Sequence, residues 1–328
     1  MILYRRTKSI RVTITAPDDR VFVIENLRFN EGPEISFDVT RDMTPSPSEA
    51  SVSIFNLPAT MLTEIEAVQE AQVDDIDRLL SAPGLFPGAP VFSEEAEPEQ
   101  AGILRLRIEA GYDGSVGVVY DGSGARAVSQ DDGRDTLLSI TAVDDLQTRI
   151  YGRPATVFEA GAPTLGVVEA LRSACGLGPG NLSPATWESL VGKSHIENAF
   201  NVSGSGFEAL QKLLEHMPLR YWIDDGEIWF AARDGQGGAL AHLPEQAELV
   251  HPLMEKATKQ DGGVVEFATL VSPGFVPGYV FPVTPDLVEA TASRGIRPGL
   301  YRVESVAHKM SSTASGDDET RIQGRIIK

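Results

Sequence analysis

The sequence predicts an α+β chain that is mainly β. It has an antiparallel, barrel-like set of strands at each end, an α/β piece between them, and an acidic helical insertion in the first set. Three observations predict this. Apolar and polar residues alternate at period two toward both termini, across Pro-, Ser- and Gly-rich breaks, the pattern of half-buried antiparallel strands joined by exposed turns. Helical spacing of apolar residues is found within 58–80, 164–175 and 207–214. The stretch 58–100 carries a dense run of carboxylates against a single basic residue, Arg78.

In chain order, Ile10, Val12 and Ile14 alternate with Arg11, Thr13 and Thr15; Pro17-Asp18-Asp19 makes a turn, and Val21 to Ile24 returns as an apolar run. Ile35, Phe37 and Val39 then point one way and Glu34, Ser36, Asp38 and Thr40 the other. After the break at 43–48, Val52 and Ile54 alternate with Ser51, Ser53 and Phe55. The reading is a meander of about four strands. It ends on Asn56-Leu57-Pro58, with Asn56 as the N-cap of a helix and Pro58 in the first turn, where a missing N–H does no harm. Met61, Leu62, Ile65, Val68 and Val73 keep helical spacing, and Ile76, Leu79 and Leu80 continue it. So acidic a segment is expected to be a solvated excursion from the β-structure or a docking arm for a neighbouring subunit. Leu85, Phe86, Val91 and Phe92, framed by Pro and Gly, are the candidate docking contacts.

Strands resume with Leu104, Leu106 and Ile108 alternating with Arg105, Arg107 and Glu109. A Gly111-Tyr112-Asp113-Gly114 turn follows, then an apolar strand ended by glycines, Gly122 among them, then Leu138, Ile140 and Ala142 closing on Asp144-Asp145. These hairpins are expected to complete one barrel with the first four strands. From 151 to 232 the pattern is α/β. Thr164 is read as capping a helix that carries Leu165, Val168, Leu171 and Cys175 and stops at Gly176. Beyond a Gly/Pro/Ser loop, Phe207, Leu210, Leu213 and Leu214 form a second helix. It leads into Tyr221 to Phe230, where Asp225-Gly226 between aromatic-rich strands is a strong hairpin signal. Residues 233–262 are weakly patterned. Val265, Phe267, Thr269 and Val271 alternate, Pro273 and Pro277-Gly278 punctuate, and Tyr279 to Phe281 begins a strand. Gly299 to His308 and Ile322 to Ile327 supply the last two. The expected division is 1–57 plus 101–150, the insertion 58–100, the α/β piece 151–250, and 251–328.

With 328 residues the chain can bury substantial cores. It has no apolar run long enough for a membrane span. Charges at Arg5, Arg6 and Lys8 interrupt what would be the apolar core of a leader, so the N-terminus is read as unprocessed. A lone Cys175 leaves no internal disulfide and no CxxC or zinc-finger spacing. The formal net charge of −19 argues against a general nucleic-acid-binding surface, which needs Lys and Arg to displace counterions. It fits an acidic surface that resists aggregation, and equally a pore wall to which DNA does not stick.

The motifs of phosphate loops, zincins and hydrolase elbows are absent. His195, His216, His242, His251 and His308 are too scattered for a metal site; His308, at a strand end, is read as a structural hydrogen-bonding residue. Gly204-Ser205-Gly206 before a helix is an anion site or, more simply, a loop. Trp187, Trp222 and Trp229 are read as core. No catalytic residue, metal or cofactor is assigned, and the chain is read as a non-enzyme.

Taken in order, these residues resemble the central baseplate hub proteins of contractile-tailed bacteriophages. The carriers are the strand ending Val52-x-Ile54-x-Asn56-Leu57 feeding a short helix, the Gly111-Tyr112 turn, the strand ending at Gly122, and the strand closing on Asp144. The later ones are Ser272-Pro273 with Pro277-Gly278, where the family has Asn-Pro, and Tyr301-x-Val303 leading to His308. The family often has Trp in its final strand; here Thr320-Arg321-Ile322 stands there.

The resemblance implies two tail-tube-like barrels per chain and a homotrimeric ring of pseudo-sixfold symmetry, which joins the hexameric tail tube to a trimeric central spike. It implies as partners the tail tube protein, a separate central spike protein, the tape measure protein and baseplate wedge proteins. DNA passes only as cargo and no membrane is entered. The expected location is the virion's tail baseplate, after assembly in a host cytoplasm. A tail-associated cell-wall hydrolase, with paired carboxylates on a cleft, and a receptor-binding tail protein, with exposed aromatics, are the other classes kept open.

Overall fold

The computed structural model describes residues 7–26, 32–69, 104–113, 115–131, 135–144, 156–202, 205–232, 257–259, 263–285, 296–313 and 318–327. The expected docking contacts Leu85, Phe86, Val91 and Phe92 lie outside them.

The first four strands are β1 (Lys8–Thr15), β2 (Val21–Asn26), β3 (Glu34–Asp42) and β4 (Glu49–Phe55), followed by a helix α1 over 59–69. Next come β5 (Arg105–Tyr112), β6 (Ser115–Ser123), β7 (Ala125–Asp131) and β8 (Thr136–Val143). The middle piece holds β9 (Thr156–Phe158), α2 (Thr164–Ala174), α3 (Pro184–Val191), β10 (Phe200–Val202), α4 (Gly206–Leu214), β11 (Leu219–Asp224) and β12 (Glu227–Ala232). The last strands are β13 (Thr258–Lys259), β14 (Val264–Thr269), β15 (Val280–Val283), β16 (Gly299–Ser311) and β17 (Glu319–Ile327). The chain is therefore α+β and mainly β.

The single four-strand meander is not what forms. β1 and β2 join β5 and β6 in one sheet, in the order β2-β1-β5-β6. The hairpin β3-β4 belongs to a nine-stranded sheet of order β13-β14-β17-β16-β3-β4-β8-β7, with β15 also on β16. Alternation says which face of a strand is buried and leaves its lateral neighbour open. Here the neighbour of β3 is the distant β16, with Asp42 to Ser36 running antiparallel to Ser305 to Ser311. Strands from both ends of the chain thus share one continuous ladder. Among the described residues no ring of strand pairing closes.

The two sheets bury a common core, with Ile10, Val12 and Ile14 from one and Ile35, Phe37, Val39, Val52 and Ile54 from the other. Lys8 at the start of β1 reaches across to the β16–β17 tip, where its Nζ meets the carbonyls of Ser311 and Thr313 at 2.9 and 2.7 Å and Asp318 at 2.5 Å. Helix α1 is part of this core: Ile65 and Val68 are buried, and Gln69 Oε1 accepts from the Ala127 N–H at 2.8 Å. The segment read as a solvated excursion therefore begins packed, because its apolar spacing gives it one buriable stripe despite its charge.

Three local readings change. Asn56 does not cap α1. It adopts the left-handed region, φ 58°, which Asn tolerates. Its side chain pairs instead with Asp135 Oδ1 and the Thr136 N–H at the start of β8, while Pro58 accepts the first helical bond, from Leu62. Thr164 is the first residue inside α2, Pro163 is at its N-cap, and Gly176, φ 71°, ends it. The Gly/Pro/Ser stretch after Gly176, whose composition predicts a loop, contains α3, capped by Ser183 Oγ accepting from the Thr186 N–H, with Pro184 in its first turn.

Candidate functional site

The strand β11 has two useful faces, and its sequence alternation sets both. Leu219, Tyr221 and Ile223 join Ile228 and Phe230 of β12 in the core of the middle piece, with Val168 and Leu171 of α2, Trp187 of α3 and Leu210 of α4. Arg220, Trp222 and Asp224 point the other way, onto the nine-stranded sheet. The hairpin is closed by Asp225-Gly226, both at positive φ (52° and 72°), the requirement of a type I′ turn. The turn sets the register Trp222 opposite Trp229, whose rings stack at 6.5 Å and 18°. Trp222, Met43 and Ala231 form a small buried cluster with Trp229 against it.

An ion pair stands at each end of this docking face. At one end Arg41, 2% exposed, continues the inward alternation Ile35-Phe37-Val39 of β3. Its guanidinium is engaged throughout: Nε to Asp224 Oδ1 at 2.8 Å, Nη2 to Asp224 Oδ2 at 2.5 Å and to Asp225 Oδ2 at 3.1 Å, and Nη1 to the Val119 carbonyl at 3.1 Å. Burial opposes the charge on Arg41, but the carboxylates of Asp224 and Asp225 outweigh it and raise its pKa. Burial, with Asp224 and Asp144 nearby, outweighs Arg41 at Asp225 and pushes that carboxyl up to about 7. Such a fork-to-fork contact fixes register as well as charge.

At the other end the signs are exchanged. Arg220 of the hairpin meets Glu304 Oε1 at 3.3 Å, and Glu304 also takes Arg325 on both oxygens, at 2.6 and 3.1 Å. Burial pulls the Glu304 carboxyl up, but the hydrogen bond and charge of Arg325, with Arg220 and Arg302, hold it below the usual range. Glu304 sits where β16 changes neighbours, from β15 before it to β3 after it, and its carbonyl accepts from the Met43 N–H.

The loop before β15 is held by His308. The Phe275 carbonyl can only accept, so His308 Nε2 carries the proton at 3.2 Å and Nδ1 accepts from Thr320 Oγ1 at 2.9 Å; that hydroxyl in turn accepts from the Ser272 N–H. Burial, then the charge of Arg41, pushes the imidazole down to about 3, so it is neutral. Ser272 also bonds the Leu270 carbonyl through Oγ. Pro273 lies on Gly117 of β6, where a Cβ would come within 2.8 Å of its ring. Val276-Pro277-Gly278-Tyr279 is a type II turn, closed by the Tyr279 N–H on the Val276 carbonyl, with Gly278 at φ 88°.

The other residues picked from sequence lie in the first part of the chain. At Gly111 a Cβ would fall 1.9 Å from the Ser115 carbonyl oxygen, so the β5–β6 hairpin excludes any side chain there. Tyr112 and Leu57 are buried in the first core. A Cβ at Gly122 would meet the buried Tyr120 hydroxyl at 2.5 Å and Asp144 Oδ1 at 3.1 Å. Pro273, Pro277 and Gly278 lie in the loop before β15 that His308 holds, whereas Asn56 and Leu57 follow the end of β4. Sequence reading missed Arg41, Asp224 and Glu304. The available signal was Arg41 itself, a charge at an inward position of a strand.

Arg41, Trp222, Asp224, Asp225, Glu227, Trp229, Val276, Pro277 and Tyr279 enclose a cleft of about 90 Å³ where β3, the hairpin and the Val276–Tyr279 turn meet. Among the described residues no group of three or more His, Cys, Asp or Glu could hold a metal ion. His195 and His216 are exposed, and His242 and His251 lie outside those residues.

No protein-family model matches the chain, and no curated protein matches it in sequence. Solved structures do. The fold is similar to that of the 43 kDa tail protein of prophage MuSo2 from Shewanella oneidensis, with a TM-score of 0.53 at 9% identity over 97% of this chain and 98% of that one. It is also similar to the E. coli c3393 protein, with a TM-score of 0.50 at 8% identity over 90% of this chain and 74% of that one. That protein is described as a type VI secretion component structurally similar to phage T4 tail proteins gp27 and gp5. The chain has the fold of phage tail proteins.

Proposed function

We propose that this chain is a structural phage-tail protein, the central hub of a contractile-tail baseplate. The observation that carries the reading is the match in fold over nearly the whole length of a prophage tail protein. The shared sheet is compatible with it, since strands from 34–55 and 257–327 lie in one ladder and present one joint surface from the two parts of the chain. In this reading the working units are 1–57 with 101–150, the insertion 58–100, the middle piece 151–250, and 251–328. Two tube-like units in each of three chains give six positions facing the hexameric tube and threefold symmetry facing the spike. The tail tube, central spike, tape measure and wedge proteins are the partners, and Leu85, Phe86, Val91 and Phe92 are docking contacts. The net charge of −19 suits a lumen through which DNA slides as cargo.

Class averaging of electron micrographs tests this, with the purified protein alone and mixed with a trimeric spike from the same tail. Threefold rings with a central hole are expected. Compact monomers in both samples, together with release of muropeptides from cell walls, would replace the hub with a tail-associated hydrolase.

A further inference from the structure

We propose that the cleft between the β11–β12 hairpin and the Val276–Tyr279 turn takes the cationic tip of an arginine or lysine side chain from a neighbouring protein. This goes beyond the hub reading and stands whether or not a ring forms.

The walls of the cleft are suited to a cation. Trp222, Trp229 and Tyr279 supply aromatic rings, and Trp229 and Tyr279 are only partly covered. A guanidinium or ammonium is attracted to such faces, most strongly to Trp. Asp225 and Glu227 supply charge at the mouth. Among the described residues Arg41 is the one basic side chain lining the cleft, and each of its three nitrogens is already engaged with Asp224, Asp225 or Val119. Asp224 takes two of those contacts; Asp225 keeps a side chain 48% exposed, and Glu227 forms no ion pair among the described residues. Asp224 is matched by Arg41, so Glu227 and the ionised share of Asp225 leave the cleft negative, and one further cation reduces the imbalance.

Size narrows the occupant. About 90 Å³ lies well below the few hundred of a typical small-molecule site. A sugar ring with its substituents does not fit that class, whereas the end of one basic side chain does. The direction of charge agrees, since a chain of net charge −19 attracts basic partners.

The test is a tryptophan-fluorescence titration of the full chain at low salt with N-acetyl-arginine methylamide. The neutral isostere N-acetyl-citrulline methylamide serves as control. Saturable change with the arginine compound, and binding of the citrulline compound at least about tenfold weaker, is expected. The double variant Asp225→Asn, Glu227→Gln should weaken arginine binding about tenfold at about pH 8, with circular dichroism showing an unchanged fold. Trp229→Leu, checked by circular dichroism for an unchanged fold, should weaken it too, read by displacement of a fluorescent arginine peptide. Equal affinity for the two compounds, or equal arginine affinity in the wild type and the double variant, would overturn the proposal.

Discussion

The two ends of the hairpin's docking face carry the same kind of contact in different settings. Arg41 and Asp224 are exposed by only 2% and 8%, whereas Arg220 and Glu304 are exposed by 34% and 13%. The donor also changes sides: the sheet gives the cation at the buried end and the hairpin gives it at the open end. Charge exchange of this sort makes the face complementary in one orientation, since reversing the hairpin would set like charges together. Burial decides how much each end matters. A buried guanidinium left alone, or a buried carboxylate left alone, is strongly unfavourable, while an exposed pair is screened by water and salt.

The largest test of that difference is Arg41→Leu, which strands Asp224 beside Asp144 in the interior. It should destabilise the fold by about 3–5 kcal/mol in denaturant unfolding. Replacing both partners, Arg41→Leu with Asp224→Leu, should recover most of that loss; a double variant as unstable as the single one would mean the pair itself stabilises the fold. Next is Gly122→Ala behind the buried end, where the new methyl meets Tyr120 Oη. A loss of about 1–3 kcal/mol is expected from overpacking, and adding Tyr120→Phe should relieve only part of it, because ring carbon Cζ also stands 2.7 Å from the new methyl.

His308 extends the comparison to pH. Its folded pKa, about 3, lies below the ordinary 6.5, so the unfolded chain takes a proton the native site refuses. Its contribution is complete above about pH 6.5 and declines as pH falls toward 3, by up to roughly tenfold in the folding constant per pH unit. Asp225 acts in reverse: its raised pKa makes the native state hold a proton that the unfolded chain releases, between about 3.8 and 7. Asp225→Asn should therefore steepen the loss of stability on acidification, and His308→Gln should flatten it. Urea midpoints from pH 4 to 8 read both. The smallest effect belongs to the open end: Arg220→Ala should change stability by less than about 1 kcal/mol, and by less still in high salt.

How much of this was readable beforehand follows from what alternation encodes. Ile35, Phe37 and Val39 show that β3 buries that face, and the structure agrees. They contain nothing that distinguishes β2 from β16 as the next strand, because both offer the same alternating edge. Asp225-Gly226 was legible as a turn since its backbone demands it. Its neighbour Asp224 was not, because its partner Arg41 lies far away in the chain and only the fold brings the two together. Asn56 shows the opposite hazard: a good capping residue drawn away by a strand end that its side chain could also satisfy. Helix α3 was readable from Ser183-Pro184 and was missed because its apolar stripe is short, with Trp187 its one large buried side chain.

The central claim is that the two-faced hairpin fastens the middle piece to the long sheet as one body through the buried pair. Equilibrium unfolding followed by tryptophan emission and by far-ultraviolet circular dichroism tests it most directly, in the wild type and in Arg41→Leu. The account predicts coincident transitions in the wild type and, in the variant, a tryptophan transition at lower denaturant than the loss of strand signal. Coincident transitions in both proteins, with the variant's midpoint unmoved, would contradict it.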